Sequence, residues 1–218
     1  MKSVLANSIL FLWLAAGLGY VFLVLPAADD FRVPELARMV SLHLPNAFVA
    51  VIAAFMAGWF GVRYLTKGRQ PIDDVKSSVA AALAALFCFL TTVTGSLFAQ
   101  VQWGSYWNWD PKQISIFLLL LIYAAYFVLR AGIEDPEKRA SVSAVYILFA
   151  TVMTPLLGYV LPKFMQGLHP QNAEFNAPYR MAIYVGILPG LIWLMSRMYR
   201  VAVRVEAVRL RREALETV

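Results

Sequence analysis

Residues 77–109 read SSVAAALAALFCFLTTVTGSLFAQVQWGSYWNW and contain no Asp, Glu, Lys or Arg. An apolar run of ~18 residues is already long enough to cross the hydrocarbon of a bilayer as a helix. The pattern recurs on both sides of this stretch. No charged residue occurs between Lys2 and Asp29, Arg38 and Arg63, Lys112 and Arg130, Arg139 and Lys163, or Arg180 and Arg197. The spacing predicts six transmembrane helices, near 3–27, 45–65, 78–101, 112–130, 141–162 and 179–199. Composition agrees, with 61% hydrophobic residues and 15% charged at a mean hydropathy of +0.65. A soluble domain carries roughly 25% charged residues. The expected fold is therefore all-α, a polytopic membrane protein.

The net charge of +6 is informative by location rather than as affinity for nucleic acid. Alternate connections hold Arg63, Lys67, Arg69 and Lys76, then Arg130, Lys138 and Arg139. The C-terminal stretch adds Arg197, Arg200, Arg204, Arg209, Arg211 and Arg212. With Lys2 this places fourteen of nineteen basic residues on one side, and the positive-inside rule then assigns both termini to the cytoplasm. The chain divides into a six-helix transmembrane domain, 1–199, and a basic tail helix, 200–218, suited to the inner membrane surface or a partner. The first helix is longer than the core of a signal peptide and reads as retained. Connections 66–77 and 131–140 read as short solvated turns. Small and hydroxylated residues in "TTVTGS" (91–96) and "TPLLGY" (154–159) read as helix-packing positions, and Pro155 as a kink. The single cysteine, Cys88, reads as a packing residue within the third helix.

Chemistry concentrates in the outer segments, about 28–44, 102–111 and 163–178. Both histidines fall there: His43 just before the second helix, and His169 in the last outer loop. Three of the six tryptophans, Trp103, Trp107 and Trp109, stand with Tyr106 in one short segment on the same side. Aromatic residues form belts at membrane interfaces, but a belt is spread over several helix ends. A concentrated cluster suits a large, flat, apolar ligand with a polar edge: a porphyrin, a quinone or a lipid. Neutral imidazole is a good iron ligand, and a pair on opposite walls completes six-coordinate haem iron. Asp110 heads "DPKQ", an N-cap followed by Pro111 at the first helical position and Gln113 at the capping-box site. Lys112 and Arg38 are outer cations of the kind haem propionates need. No CxxCH occurs, so covalent haem attachment by the chain is not expected. Nor does the sequence offer a constellation for changing a bond in a small substrate, so it does not read as an enzyme.

"WGSYWNWD" (103–110) resembles the tryptophan-rich signature of the haem-handling proteins of cytochrome c maturation. "LHLP" (42–45) and "LHP" (168–170) are similar to the two histidine motifs of the CcmC family, and the plan covers nearly the whole chain. The resemblance implies axial haem ligation by His43 and His169. It implies a platform from Trp103, Gly104, Trp107, Trp109 and Asp110, joined here by Tyr106, with Arg38 and Lys112 as propionate partners. It further implies haem b as transient, non-covalent cargo at the outer face of a bacterial cytoplasmic membrane. A periplasmic chaperone like CcmE would receive it, with CcmA-, CcmB- and CcmD-like subunits in the wider complex. The "WDPK" run is more similar to the related CcsA branch, which delivers haem to apocytochrome c. Members of that branch are longer and carry further histidines within their helices. A bis-histidine membrane cytochrome b is the reading from another class.

Overall fold

In the computed structural model, which describes residues 2–28, 31–169 and 174–216, six helices are long and apolar enough to span a membrane. They are α1 (Val4–Val24), α2 (Pro34–Thr66), α3 (Pro71–Trp103), α4 (Pro111–Ala131), α5 (Pro136–Lys163) and α6 (Ala177–Arg212). Among the described residues there are no strands.

Local chemistry sets most of the starts. Proline occupies the first helical turn of α3, α4, α5 and α6, where its missing N–H costs nothing. Side chains cap three of these: Asp110 accepts from Lys112 N, Asp135 from Lys138 N, and Asn176 from Tyr179 N. At its far end α3 stops on Gly104, whose φ of 82° is the left-handed conformation that favours glycine.

Two helices begin well before their expected positions. α3 opens at Pro71 rather than near 78, which shrinks the 66–77 connection to a tight turn with positive φ at Gly68 and Arg69. The acids in its first turn are not solvated: Asp73 is buried against Arg63, and Asp74 pairs with Arg130 at 2.7 Å. Those pairings satisfy charges that the sequence pattern assigns to a loop. α2 begins with a 3₁₀ turn, Pro34–Met39, and is α-helical from Val40. Pro45 therefore lies inside it, and His43 is helical rather than just before the helix. The expected kink in α5 takes the form of a π-helical stretch, Leu156–Val160, directly after Pro155.

α2 is the centre of the bundle, packed on α3, α5 and α6. Its small residues allow close approach: Ala53, Ala54 and Ala57 are fully buried, as are Ala80 and Ala81 of α3. A Cβ on Gly58 would stand 2.5 Å from Thr151 Oγ1, and one on Gly61 2.9 Å from Ile147 Cγ2. Hydroxyls bind across the seams, Ser77 Oγ to Ala57 O at 2.8 Å and Thr151 Oγ1 to Ala54 O at 3.1 Å. Cys88 is buried within α3, as expected. Gly158, by contrast, has open space where a Cβ would be, so it is not the close-packing position its motif implies.

α1 stands at the edge, with an apolar surface largely uncovered. It is held to α6 where Gly17 meets Gly186 and Leu14 meets Gly190. Trp13 Nε1 also donates to Val185 O at 2.9 Å, inside a π-helical stretch, Met181–Ile187. The closing α-helix, Leu188–Glu216, continues without a break into the segment expected as the basic tail, whose residues 217–218 lie outside the described residues.

Candidate functional site

Three elements meet at the end of the bundle opposite the N-terminus of α1: the first turns of α2, the Trp103–Asp110 connection, and the segment after α5. Each brings a residue whose partners are strongly constrained.

His43 projects from α2 onto α3. Its Nδ1 lies 3.1 Å from Thr91 O and 3.3 Å from Thr94 Oγ1. A carbonyl oxygen only accepts, so Nδ1 carries the proton, and in the neutral ring Nε2 keeps its lone pair. The ring seats itself on Gly95, where a Cβ would come within 2.8 Å of His43 Cε1. Thr91, Thr94 and Gly95 are thus the shelf that orients the imidazole. Their motif reads along the chain as helix packing alone, because hydroxyls and glycine serve both purposes.

His169 is held by Asp110. Its Nδ1 is 2.6 Å from Asp110 Oδ1, while Asp110 Oδ2 accepts from Leu168 N at 2.6 Å. Asp110 also caps α4, accepting from Lys112 N at 2.9 Å. Burial pushes the Asp110 carboxyl up, but the His169 ring and the N–H groups of Lys112 and Leu168 outweigh it and hold it below its ordinary range. Burial lowers the His169 pKa below the usual 6.5, with Asp110 opposing and Lys112 reinforcing. The result is a neutral imidazole donating Nδ1–H to an ionised carboxylate, with Nε2 unprotonated. Gly167 makes room for this contact, since a Cβ there would stand 2.5 Å from Asp110 Oδ2.

Trp103 lies beside His169, ring centroids 4.8 Å apart and planes at 64°. The rest of the signature divides. Trp107 and Trp109 pack edge to face at 6.0 Å, and Trp107 continues onto Phe117 of α4. Among the described residues neither has a ring contact with a histidine. Trp109 is 74% exposed with a φ of 56°, and Tyr106 is exposed.

Gln113 does not close the expected capping box. Its Oε1 accepts from Asn108 N at 2.8 Å and its Nε2 donates to Tyr106 O at 3.2 Å. The Asp110 φ and ψ, −63° and 145°, are extended, and the bend of the preceding chain brings Asn108 N within reach of the glutamine. Gln113 thereby braces the tryptophan segment from behind.

The cations are also rearranged. Arg38 turns toward α1: its Nε donates to Glu35 O at 2.6 Å and its Nη1 to Phe22 O at 2.7 Å. It ties the end of α1 to the start of α2. Arg32, to which the sequence assigns no role, brings Nη1 to Gly104, where a Cβ would be 2.7 Å away. Its backbone N–H donates to Gln102 Oε1 at 3.0 Å. No spacing along the chain signals that contact. Pro170, part of the second histidine motif, lies outside the described residues.

The histidine pair has the chemistry of a metal-ligand pair. Ligating imidazoles characteristically donate their other ring N–H to a carbonyl or carboxylate, which fixes tautomer and orientation. His43 and His169 do so with one of each.

The family model described as Heme exporter protein C (CcmC) matches residues 2–218. The Heme exporter protein C of Bradyrhizobium diazoefficiens is 31% identical over 135 residues, 61% of this chain and 50% of that protein. That of Paracoccus denitrificans is 27% identical over 194 residues, covering 86% of this chain and 80% of the relative. That of Escherichia coli K12 is 23% identical over 194 residues, covering 84% and 77%. The chain spans half the length of the Bradyrhizobium relative it matches and about four fifths of the Paracoccus one. With nearly its whole length matched and a histidine pair built from three converging elements, the chain belongs to the CcmC family.

Proposed function

We propose that this protein holds haem at the outer face of a bacterial cytoplasmic membrane and surrenders it to a periplasmic haem chaperone of the CcmE type. The observation that carries the reading is that both Nδ1 atoms are engaged by oxygen acceptors, so that each ring, when neutral, turns the lone pair of Nε2 to a ligand. Neutral imidazoles so fixed fit ferric or ferrous haem without prior loss of a proton. Haem is here cargo, bound without covalent attachment as haem b. The iron would supply the coordination chemistry, and the chain orientation and an aromatic contact.

In this reading His43 and His169 are the axial ligands, and Trp103 lies against the ring. Lys112, in the first turn of α4 next to the Asp110 cap, is the cation this reading sets beside the ligands. Arg32 is the more accessible cation at the rim, since Arg38 has two donors committed to carbonyls. Trp107, Trp109 and Tyr106 present a partly exposed aromatic surface, suited to a large flat cargo or to the partner that collects it. The ligands come from different elements, one on α2 and one anchored to the cap of α4. A receiving protein therefore competes for one iron ligand without unfolding a helix. The assembly would include CcmA-, CcmB- and CcmD-like subunits, and the chain acts as a carrier rather than a catalyst.

The test is the optical spectrum and haem content of the detergent-purified protein beside His43→Ala and His169→Ala. The expected result is a low-spin spectrum that loses that character in either variant, with transfer on addition of haem-free chaperone. Unchanged spectra and haem content in both variants would overturn the ligation. A haem that ligates but never leaves would indicate a resident cytochrome b.

A further inference from the structure

At the other end of the bundle an open groove of about 490 Å³ runs between α1 and α6, lined by Asn7, Ser8, Phe11, Leu12, Trp193 and Arg197. It faces outward from the edge helix, on the side that meets lipid in a chain of six spanning helices. Its lining changes along the axis. Asn7, Ser8 and Arg197 stand nearer the membrane surface, while Phe11 and Leu12 lie a turn deeper in α1.

The polar end is rich in donors. Trp193 Nε1 donates to Asn7 Oδ1 at 3.3 Å, which engages the amide's acceptor and not its NH₂ donors. Ser8 is exposed. Arg197 is half-buried, and among the described residues no carboxylate pairs with it. A guanidinium, an amide NH₂ and a hydroxyl lining one groove are the donors an anion requires. Basic pockets between transmembrane helices on the cytoplasmic side are binding places for anionic lipid headgroups. This end carries most of the chain's arginines and lysines.

We propose that this groove binds an anionic glycerophospholipid, its phosphate on Arg197, Asn7 and Ser8 and an acyl chain along Phe11, Leu12 and the Trp193 ring. The polarity gradient matches a lipid, with one charged head and an apolar tail. A second transmembrane helix, ~10 Å across, would place apolar side chains over the guanidinium and strand it unpaired. The lipid gives α1, which has little covering from the rest of the bundle, a second fixed contact beside its glycine seam with α6.

The experiment is native mass spectrometry of the full chain released from nanodiscs of mixed phosphatidylglycerol and phosphatidylcholine. The expected result is selective retention of phosphatidylglycerol, unaffected by added inorganic phosphate. Arg197→Gln should lower that retention roughly fivefold, Arg197→Lys should largely keep it, and Ser8→Trp should block the groove while leaving the arginine. Equal retention of the two lipids, or an Arg197→Gln protein that matches the parent, overturns the proposal. Displacement by phosphate makes it a free-anion site instead. Crosslinking of Ser8→Cys to a second polypeptide overturns it in favour of a partner helix. Haem is not part of the readout, so either result is independent of the histidine site.

Discussion

Asp110 Oδ1 stands 2.6 Å from His169 Nδ1, joining the cap of α4 to a residue 59 positions further along the chain. One carboxylate thus starts a helix, holds the Leu168 backbone and sets an imidazole tautomer. Asp110→Ala should remove all three. Loss of the cap costs ~1 kcal/mol, and loss of the partner behind a ligating histidine typically weakens metal affinity 10–100-fold. Asp110→Asn keeps an oxygen acceptor and should fall between. Haem titration with thermal melts on the same samples checks both effects, and equal affinity in Asp110→Ala and parent would exclude the link.

Gly95→Ala should act on function and stability with opposite signs. Alanine favours the helix by ~1 kcal/mol over glycine, yet its Cβ would meet His43 Cε1 at 2.8 Å. The expected variant is folded and no less thermostable, with the His43 ligand displaced and the spectrum shifted toward high spin. A normal spectrum would show that His43 does not depend on that shelf.

The pH profile follows from His169. Its folded pKa lies below 6.5 through burial, so the folded chain binds fewer protons than the unfolded one just below that value. The associated stability is complete above 6.5 and declines as the pH falls toward the folded value. Protons also compete with iron for Nε2. Low-spin character should therefore persist on acidification through 6.5 and be lost only further down. Asp110 raises the His169 pKa, so in the haem-free protein Asp110→Asn should move the titration of His169 to still lower pH. NMR titrations of the His169 imidazole in the two haem-free proteins give the comparison, and a shift to higher pH in the variant would reverse the assignment.

Gly17→Ala tests the α1–α6 seam. The added Cβ would lie 2.6 Å from Gly186 O, a backbone atom with little room to give. Overpacking of this kind costs about 1–3 kcal/mol. The melting temperature should fall while haem binding per folded molecule is unchanged, because among the described residues the contacts of Gly17 and those that orient the histidines have no residue in common.

Arg130 and Asp74 make a two-pronged, mostly buried pair at 2.7 and 3.0 Å between α4 and α3. Removing one partner leaves the other buried and unpaired, at a cost of roughly 3–5 kcal/mol in such settings. Arg130→Gln should be strongly destabilising. The double variant with Asp74→Asn should recover part of the loss, as a double-mutant cycle would measure.

Much of this was legible along the chain because its causes are local. The lengths of the uncharged runs determined six spanning helices. "DPKQ" determined the Asp110 cap within two residues of its partner, Lys112 N. The two histidines fall at one end because the parity of crossings puts them there. Where the sequence misled, long-range pairing had changed the solvation of a residue: Asp73 and Asp74 looked like loop acids until Arg63 and Arg130 took them into helix α3. Likewise His43 looked like a residue just before the second helix until the Pro34–Met39 turn began that helix earlier.

The tertiary structure alone decided the working geometry. It set His43 on Gly95 and Thr91, aimed His169 through Asp110, turned Arg38 to the carbonyls of Phe22 and Glu35, and brought Arg32 over Gly104. Hydrophobic run length fixes how many helices are able to cross, since burial in lipid depends on composition. Hydrogen bonds between segments depend on the rotation and depth of each helix against its neighbours. Those are set by side-chain packing among residues far apart in sequence, and no local pattern carries that information.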